Sequence, residues 1–77
     1  MATYWEVFWV NEVKIYTDTI KLNQFLKWSR AVSSGAEANA LIRSGLVKVN
    51  GLIATQRGKK LKRGDRVTID DEEYILK

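Results

Sequence analysis

Apolar and polar positions pass through three regimes along this chain: strand-like alternation, helical spacing, then alternation again. Val13 and Ile15 alternate with Lys14 and Tyr16, the period-two signature of a half-buried strand. Upstream, Trp5, Val7 and Trp9 alternate with Tyr4, Glu6 and Phe8, so residues 4–9 read as a further, nearly all-apolar strand, with Asn11-Glu12 as a break. From Leu22 the spacing turns helical. Leu22, Phe25 and Leu26 form one stripe, with Lys21, Gln24 and Lys27 around it. Asp18 or Thr19 is expected to cap this helix, which should end near Arg30 or Ala31. The second helix has sharper bounds. Ser34-Gly35-Ala36-Glu37 fits a capping box, in which the Ser34 hydroxyl accepts the Glu37 N–H and the Glu37 side chain reaches back to the helix start. Ala38, Leu41 and Ile42 supply its apolar stripe, and Gly45 suits the left-handed residue beyond its end.

Alternation then resumes. Leu46 to Thr55 holds two β-branched runs around Asn50-Gly51, a two-residue turn that needs positive φ at both positions. Gln56 to Arg63 reads as a basic loop, with Leu61 as its single apolar anchor. Arg63-Gly64-Asp65 reads as a turn and Arg66 to Ile69 as a strand. Asp70-Asp71 turns again, and Tyr74 to Leu76 closes a last strand. The predicted order is β–α–α–β–β–β–β. That is an α+β fold, two adjacent helices packed on a small, mostly antiparallel sheet. No linker or repeat divides residues 1–77, so a single domain is expected, with residues 1–20 completing the sheet.

Composition narrows the chemistry. With 77 residues the chain can bury one modest core. It holds no cysteine and no histidine, which removes disulfides, thiol nucleophiles, imidazole bases and Cys/His zinc sites. No apolar run approaches the ~20 residues of a membrane helix, and no signal-peptide pattern opens the chain. A cytoplasmic protein without cofactor or metal is expected. Charge is distributed unevenly. Residues 1–20 carry net −2, residues 21–66 net +9 and residues 67–77 net −3, so the overall +4 conceals a strongly basic middle. A local field of that size suits a polyanion.

Three stretches carry a resemblance. They are Lys21-Leu22-Asn23-Gln24-Phe25-Leu26, then Ser34-Gly35-Ala36-Glu37-Ala38, then Leu41-Ile42-Arg43-Ser44-Gly45-Leu46-Val47-Lys48-Val49-Asn50-Gly51. Together with Gly64-Asp65 before a strand, they resemble the S-four RNA-binding domain over about residues 21–69, and in particular its short stand-alone bacterial members, the YaaA-like and YbcJ-like proteins. Two positions depart from that pattern: Asn23 stands where the family usually has Asp, and Gly35 where it usually has a base. The resemblance implies the family's helix–helix–hairpin RNA-binding unit. It implies contacts from Lys21, Lys27, Ser34, Gly35, Ala36, Asn39, Arg43, Lys48, Asn50 and Gly51.

The residues themselves support part of this set. Lys21, Lys27, Arg30, Arg43 and Lys48 can neutralise phosphates, and Arg43 can do so through a two-pronged fork. Asn39 lies four residues before Arg43, on the same helix face. Arg57, Lys59, Lys60 and Lys62 form a candidate phosphate-gripping loop, whose plain alternative is a solvated basic surface. Ser34 reads first as a cap, and Asn50-Gly51 first as turn formers. Trp28 falls off the apolar stripe, which suits the edge of the core or, alternatively, a base-stacking position.

The leading expectation is a non-catalytic module binding structured RNA, ribosomal or transfer RNA by resemblance, in association with the ribosome. No small-molecule substrate and no membrane partner are expected. The competing expectation is a protein-interaction module using Trp5, Phe8 and Trp9 as an aromatic contact surface. An enzyme ranks last, because no nucleophile–base pair is visible.

Overall fold

The computed structural model describes residues 9–77, with Trp9 given by its backbone alone. Residues 4–8 of the strand expected over residues 4–9, and the aromatic surface of Trp5, Phe8 and Trp9, therefore lie outside what it describes. Seven strands and two helices follow in the order β1 (Trp9–Val13), β2 (Thr19–Lys21), α1 (Leu22–Trp28), α2 (Gly35–Arg43), β3 (Val47–Val49), β4 (Leu52–Ile53), β5 (Lys60–Lys62), β6 (Arg66–Ile69) and β7 (Glu72–Leu76). Five strands form a sheet in the order β1-β7-β6-β3-β4, and β2 pairs antiparallel with β5 as a separate ribbon. Within the sheet only the β1–β7 pair is parallel. The expected α+β architecture is observed, as two helices on a mostly antiparallel mixed sheet.

One buried cluster joins the layers. Leu22, Phe25 and Leu26 from α1 and Ala38 and Ile42 from α2 meet Val47, Val49, Val67, Tyr74 and Leu76 of the sheet. Leu61 of β5 enters the same cluster and is fully buried, as its position between charged neighbours predicts. Burial of each large apolar side chain contributes about 1.5–3 kcal/mol. Because strand side chains alternate, burial of Val47 and Val49 turns Lys48 to the outer face of the sheet, away from the helices.

Local signals hold where the chain's own neighbours supply the partners. The Ser34 hydroxyl accepts from the Glu37 N–H at 3.1 Å and caps α2. Glu37 reaches back to Ser33, not to Ser34. Both the Ser33 N–H and hydroxyl donate to Oε1 at 3.0 Å, and they hold this carboxyl below its usual pKa. At the other end of α2, Gly45 takes φ 76°, its N–H donates to the Ile42 carbonyl, and the Leu46 N–H donates to the Leu41 carbonyl. This is the paired closing motif that favours glycine. Asn50 and Gly51 take φ 52° and 85°, and Val49 faces Leu52, as the two-residue hairpin requires.

Other expectations are corrected. Asp18 and Thr19 do not cap α1. Thr19 begins β2, and Lys21 stands at the helix boundary without a side-chain cap. The Leu22 and Asn23 N–H groups donate instead to the carbonyls of Lys59 and Arg57, at 2.8 and 3.0 Å. The helix ends at Trp28, earlier than expected, because Arg30 adopts φ 64° and reverses the chain. Asn11-Glu12 is no break but lies inside β1, and Val13 ends that strand where alternation placed its start. The segment read as a wholly irregular basic loop contains β5.

Asp65 ties these parts together. It is buried, and its carboxylate accepts from the Lys62 N–H at 2.9 Å and the Asn50 amide at 3.2 Å. Its backbone N–H donates to the Lys62 carbonyl, and its carbonyl accepts from Leu76. The Asn50 side chain completes the clamp by accepting from the Arg66 N–H at 3.0 Å. Burial alone would raise the Asp65 pKa. The Lys62 N–H, the Asn50 amide and the Lys62 ammonium outweigh it and hold the carboxyl below its ordinary 3.8.

Two stability outcomes follow from these caps and clamps. Ser34→Ala should cost about 0.5–2 kcal/mol in thermal or urea melts, through loss of the α2 cap. Asp65→Ala should cost about 1–3 kcal/mol, because the Lys62 N–H and the Asn50 amide lose their acceptor. A lowered folded-state pKa adds stability that is complete above the unfolded value and lost as pH falls through the folded one. Urea midpoints should therefore drop more between pH 7 and roughly pH 3 in the wild type than in Asp65→Ala.

Candidate nucleic-acid interface

The basic middle of the sequence divides into cations used by the fold and cations left over. Arg63 donates to the Ile15 carbonyl at 3.0 Å. Lys62 lies 3.5 Å from Asp65, Arg66 3.5 Å from Glu73 and Lys77 3.5 Å from Glu12. Lys21, Lys27, Arg30, Arg43, Lys48, Arg57, Lys59 and Lys60 are exposed and form no ion pair among the described residues. Uncompensated like charges raise the energy of the free protein and favour an anionic partner.

Helix α2 supplies the spine of this surface. Gly35, Asn39 and Arg43 recur at four-residue spacing along one flank, over about 12 Å of helix. Asn39 and Arg43 line one side of a groove whose other side is Thr55, Gln56, Arg57 and Gly58. The structure thus brings together residues distant in sequence, and the means is the pair of hydrogen bonds from α1 to the Arg57 and Lys59 carbonyls. The Asn39 Oδ1 is buried and accepts from no group among the described residues. Ser34 and Ala36 are exposed at the head of the same helix. Gly35 has an ordinary negative φ, and a Cβ there would meet only the Lys27 Cδ, at 3.9 Å. Among the described residues nothing steric demands glycine at this position.

Helix α1 and its exit add Lys27 and Arg30, which flank a hollow running to Ser33 and Glu37 at the start of α2. The β2–β5 ribbon adds a third group. Ile20 and Leu61 face the core, so Lys21 and Lys60, directly opposed in the register, share the outward face. Like charges so placed repel each other.

Some sequence candidates stand elsewhere. Lys48 lies on the outer face of the sheet between Ile53 and Thr68, apart from both helices. The Asn50 side chain is occupied by Asp65 and Arg66, and Gly51 shapes the turn. Lys62 shares its charge with Asp65. Gln56, which lines the groove with Arg57, was not singled out in the sequence. Its neutral side chain in a basic run carries no signal of its own.

Known proteins place this geometry in context. The S4 domain pattern matches residues 13–77. A Bacillus subtilis (strain 168) protein named probable ribosome maturation protein RlbA is 38% identical over 60 residues, which is 78% of this chain and 84% of that one. The crystal structure of the 30S ribosomal protein S4e from Thermoplasma acidophilum is similar at a TM-score of 0.59 and 23% identity, over 78% of this chain. The chain spans 32% of that ribosomal protein, and the likeness concerns the fold. The match extends past the three motif stretches to take in β2, β5, β6 and β7, and with the fold it shows that the chain belongs to the S4 domain family.

Proposed function

We propose that this protein binds structured ribosomal RNA, without catalysing a reaction, through the surface formed by α1, α2 and the β2–β5 ribbon. One observation carries the reading: apart from Lys48 and Arg63, the central cations without an acidic partner among the described residues lie on the two helices, at their ends, or on the β2–β5 ribbon and the Arg57–Lys60 segment beside them. Membership in the S4 domain family supports an RNA-binding, ribosome-associated role. The name of the Bacillus subtilis relative, a probable ribosome maturation protein, favours ribosomal over transfer RNA and a place in the cytoplasm. Among the described residues no helix is long and apolar enough to cross a membrane.

The mechanism is electrostatic and geometric. A-form RNA hides its base edges in a deep groove and presents phosphates and 2′-hydroxyls. Arg43 and Arg57, held on opposite sides of one groove, can each grip a phosphate with a planar fork, while the amide of Asn39, beside Arg43 on α2, suits a ribose hydroxyl. Lys21 and Lys60 suit a neighbouring phosphate, since an anion between them would relieve their repulsion. Lys27 and Arg30 extend the track past the start of α2.

Affinity for structured RNA should fall with salt. If about 5–7 phosphates are neutralised, log K against log salt should have a slope on the order of −4 to −6. Arg43→Ala and Arg57→Ala should each weaken binding by about 1 kcal/mol or more and reduce that slope by roughly 1. Lys48→Ala, on the far face of the sheet, should leave both nearly unchanged. A flat salt titration, or equal losses from all three variants, would remove this face as the binding surface.

Arg30 offers a test of opposite signs. A non-glycine residue in the left-handed region costs on the order of 1–3 kcal/mol, so Arg30→Gly should hold or raise the melting temperature. Affinity for RNA should fall in the same variant. Binding at wild-type strength would exclude Arg30 from the contact surface.

A further inference from the structure

Trp28 is 52% exposed, although burial of a side chain of this size would add stability. It is nevertheless held in place. Its indole N–H donates to the Lys14 carbonyl at 2.8 Å, and Tyr16 meets it edge-on with ring centroids 6.2 Å apart and planes at 89°. The indole stands between two hollows. One is apolar and contains Ile15, Tyr16 and Ile20. The other contains Ile20, Gln24 and Lys27. The second hollow therefore combines an aromatic ring fixed in orientation, an amide with both donor and acceptor, and an ammonium with no ion pair among the described residues. Among the described residues no carboxylate lines it.

Resting on the RNA-binding reading above, we propose that the hollow beside Trp28 takes one unpaired nucleotide of the bound RNA, its base stacked on the indole and its phosphate on Lys27. Charge selects this occupant over an apolar peptide, since the cation at the rim needs an anion and every base has a flat π-face to offer. Position supports the same choice. Lys27 lines both this hollow and the one that leads to Ser33 and Glu37, and its Cδ lies 3.9 Å from a Cβ built at Gly35. A strand leaving the phosphate track on α2 would thus reach Trp28 past a single shared lysine. The preferred substrate becomes a duplex interrupted by a bulged or flanking unpaired nucleotide. Gln24 can add a modest preference among bases through hydrogen bonds at the base edge.

The test uses two RNA hairpins with one stem sequence, the first fully paired and the second carrying a single bulged 2-aminopurine. Wild-type protein should bind the bulged hairpin about tenfold more tightly, as one base–aromatic stack provides, and should quench the 2-aminopurine emission. Trp28→Ala should bind both hairpins equally, at the wild-type affinity for the paired one, without quenching. Trp28→Tyr should keep most of the preference, which separates loss of the ring from loss of the indole hydrogen bond. Equal wild-type binding to the two hairpins, or a full preference retained by Trp28→Ala, would overturn the nucleotide site. In either case salt-dependent binding of the paired hairpin would leave the basic face standing. Failure of wild-type protein to bind either hairpin would overturn both.

Discussion

Helix α1 begins without a side-chain cap, and the carbonyls that satisfy its first turn come from Lys59 and Arg57, more than thirty residues later in the chain. An unpaired backbone N–H at a buried helix start is costly, so these two bonds fix where the basic segment must run. Their consequences spread in two directions. Toward the core, they set β5 beside β2 and deliver Leu61 to the cluster that also holds Leu22 and Phe25. Toward solvent, they hold Arg57 across a groove from Asn39 and Arg43 and set Lys60 opposite Lys21. One backbone requirement therefore serves both the fold and the charge pattern. The cations are concentrated because the segment bearing them is needed to close a helix.

The same bonds explain what could be read from the sequence. Features whose partners lie within a few residues were legible, namely the Ser34 cap, the Gly45 closure and the Asn50-Gly51 turn, and the burial of Leu61 was legible because it is the single apolar residue of a basic run. The bounds of α1 were not, because its start is capped by distant carbonyls and its stop is an arginine in a conformation that normally announces itself as glycine. Strands β2 and β5 have three residues each and pair only with each other, so neither shows a period until both are placed. The parallel β1–β7 pair joins the two ends of the described chain, a contact that local pattern cannot encode. Of the candidate site, the basic composition and the Asn39–Arg43 face were visible. The groove that adds Arg57 to them, and the separation of Lys48 from the helices, depend on tertiary structure.

Asp65 bears on both the fold and the proposed interface. Its carboxylate organises the turn before β6, anchors Asn50 of the hairpin and draws off part of the Lys62 charge. Acidic groups elsewhere pair with cations on or next to the sheet, where Glu73 of β7 meets Arg66 of β6 and Glu12 of β1 meets Lys77. Among the described residues, the acidic ends of the sequence thus pair with Arg66 and Lys77 and with no cation of the helices. Exposed pairs of this kind contribute little to stability. Their larger effect is on the field, since charge compensated on one side of a small protein sharpens the contrast with the other.

Gly35 then takes on a different meaning from the one its sequence position suggests. In the family pattern this site usually carries a base, and its replacement by glycine reads as the loss of a phosphate contact. In the structure the space is open, glycine is not required by its backbone angles, and the aliphatic stem of Lys27 passes within van der Waals reach of where a side chain would start. A long side chain at residue 35 would contend with that stem for the same surface. The positive charge at the head of α2 is thus supplied from the end of α1, through a lysine whose other flank borders Trp28. With glycine at 35, Lys27 can lie across the junction between the proposed phosphate track on α2 and the hollow beside Trp28, so one lysine borders both.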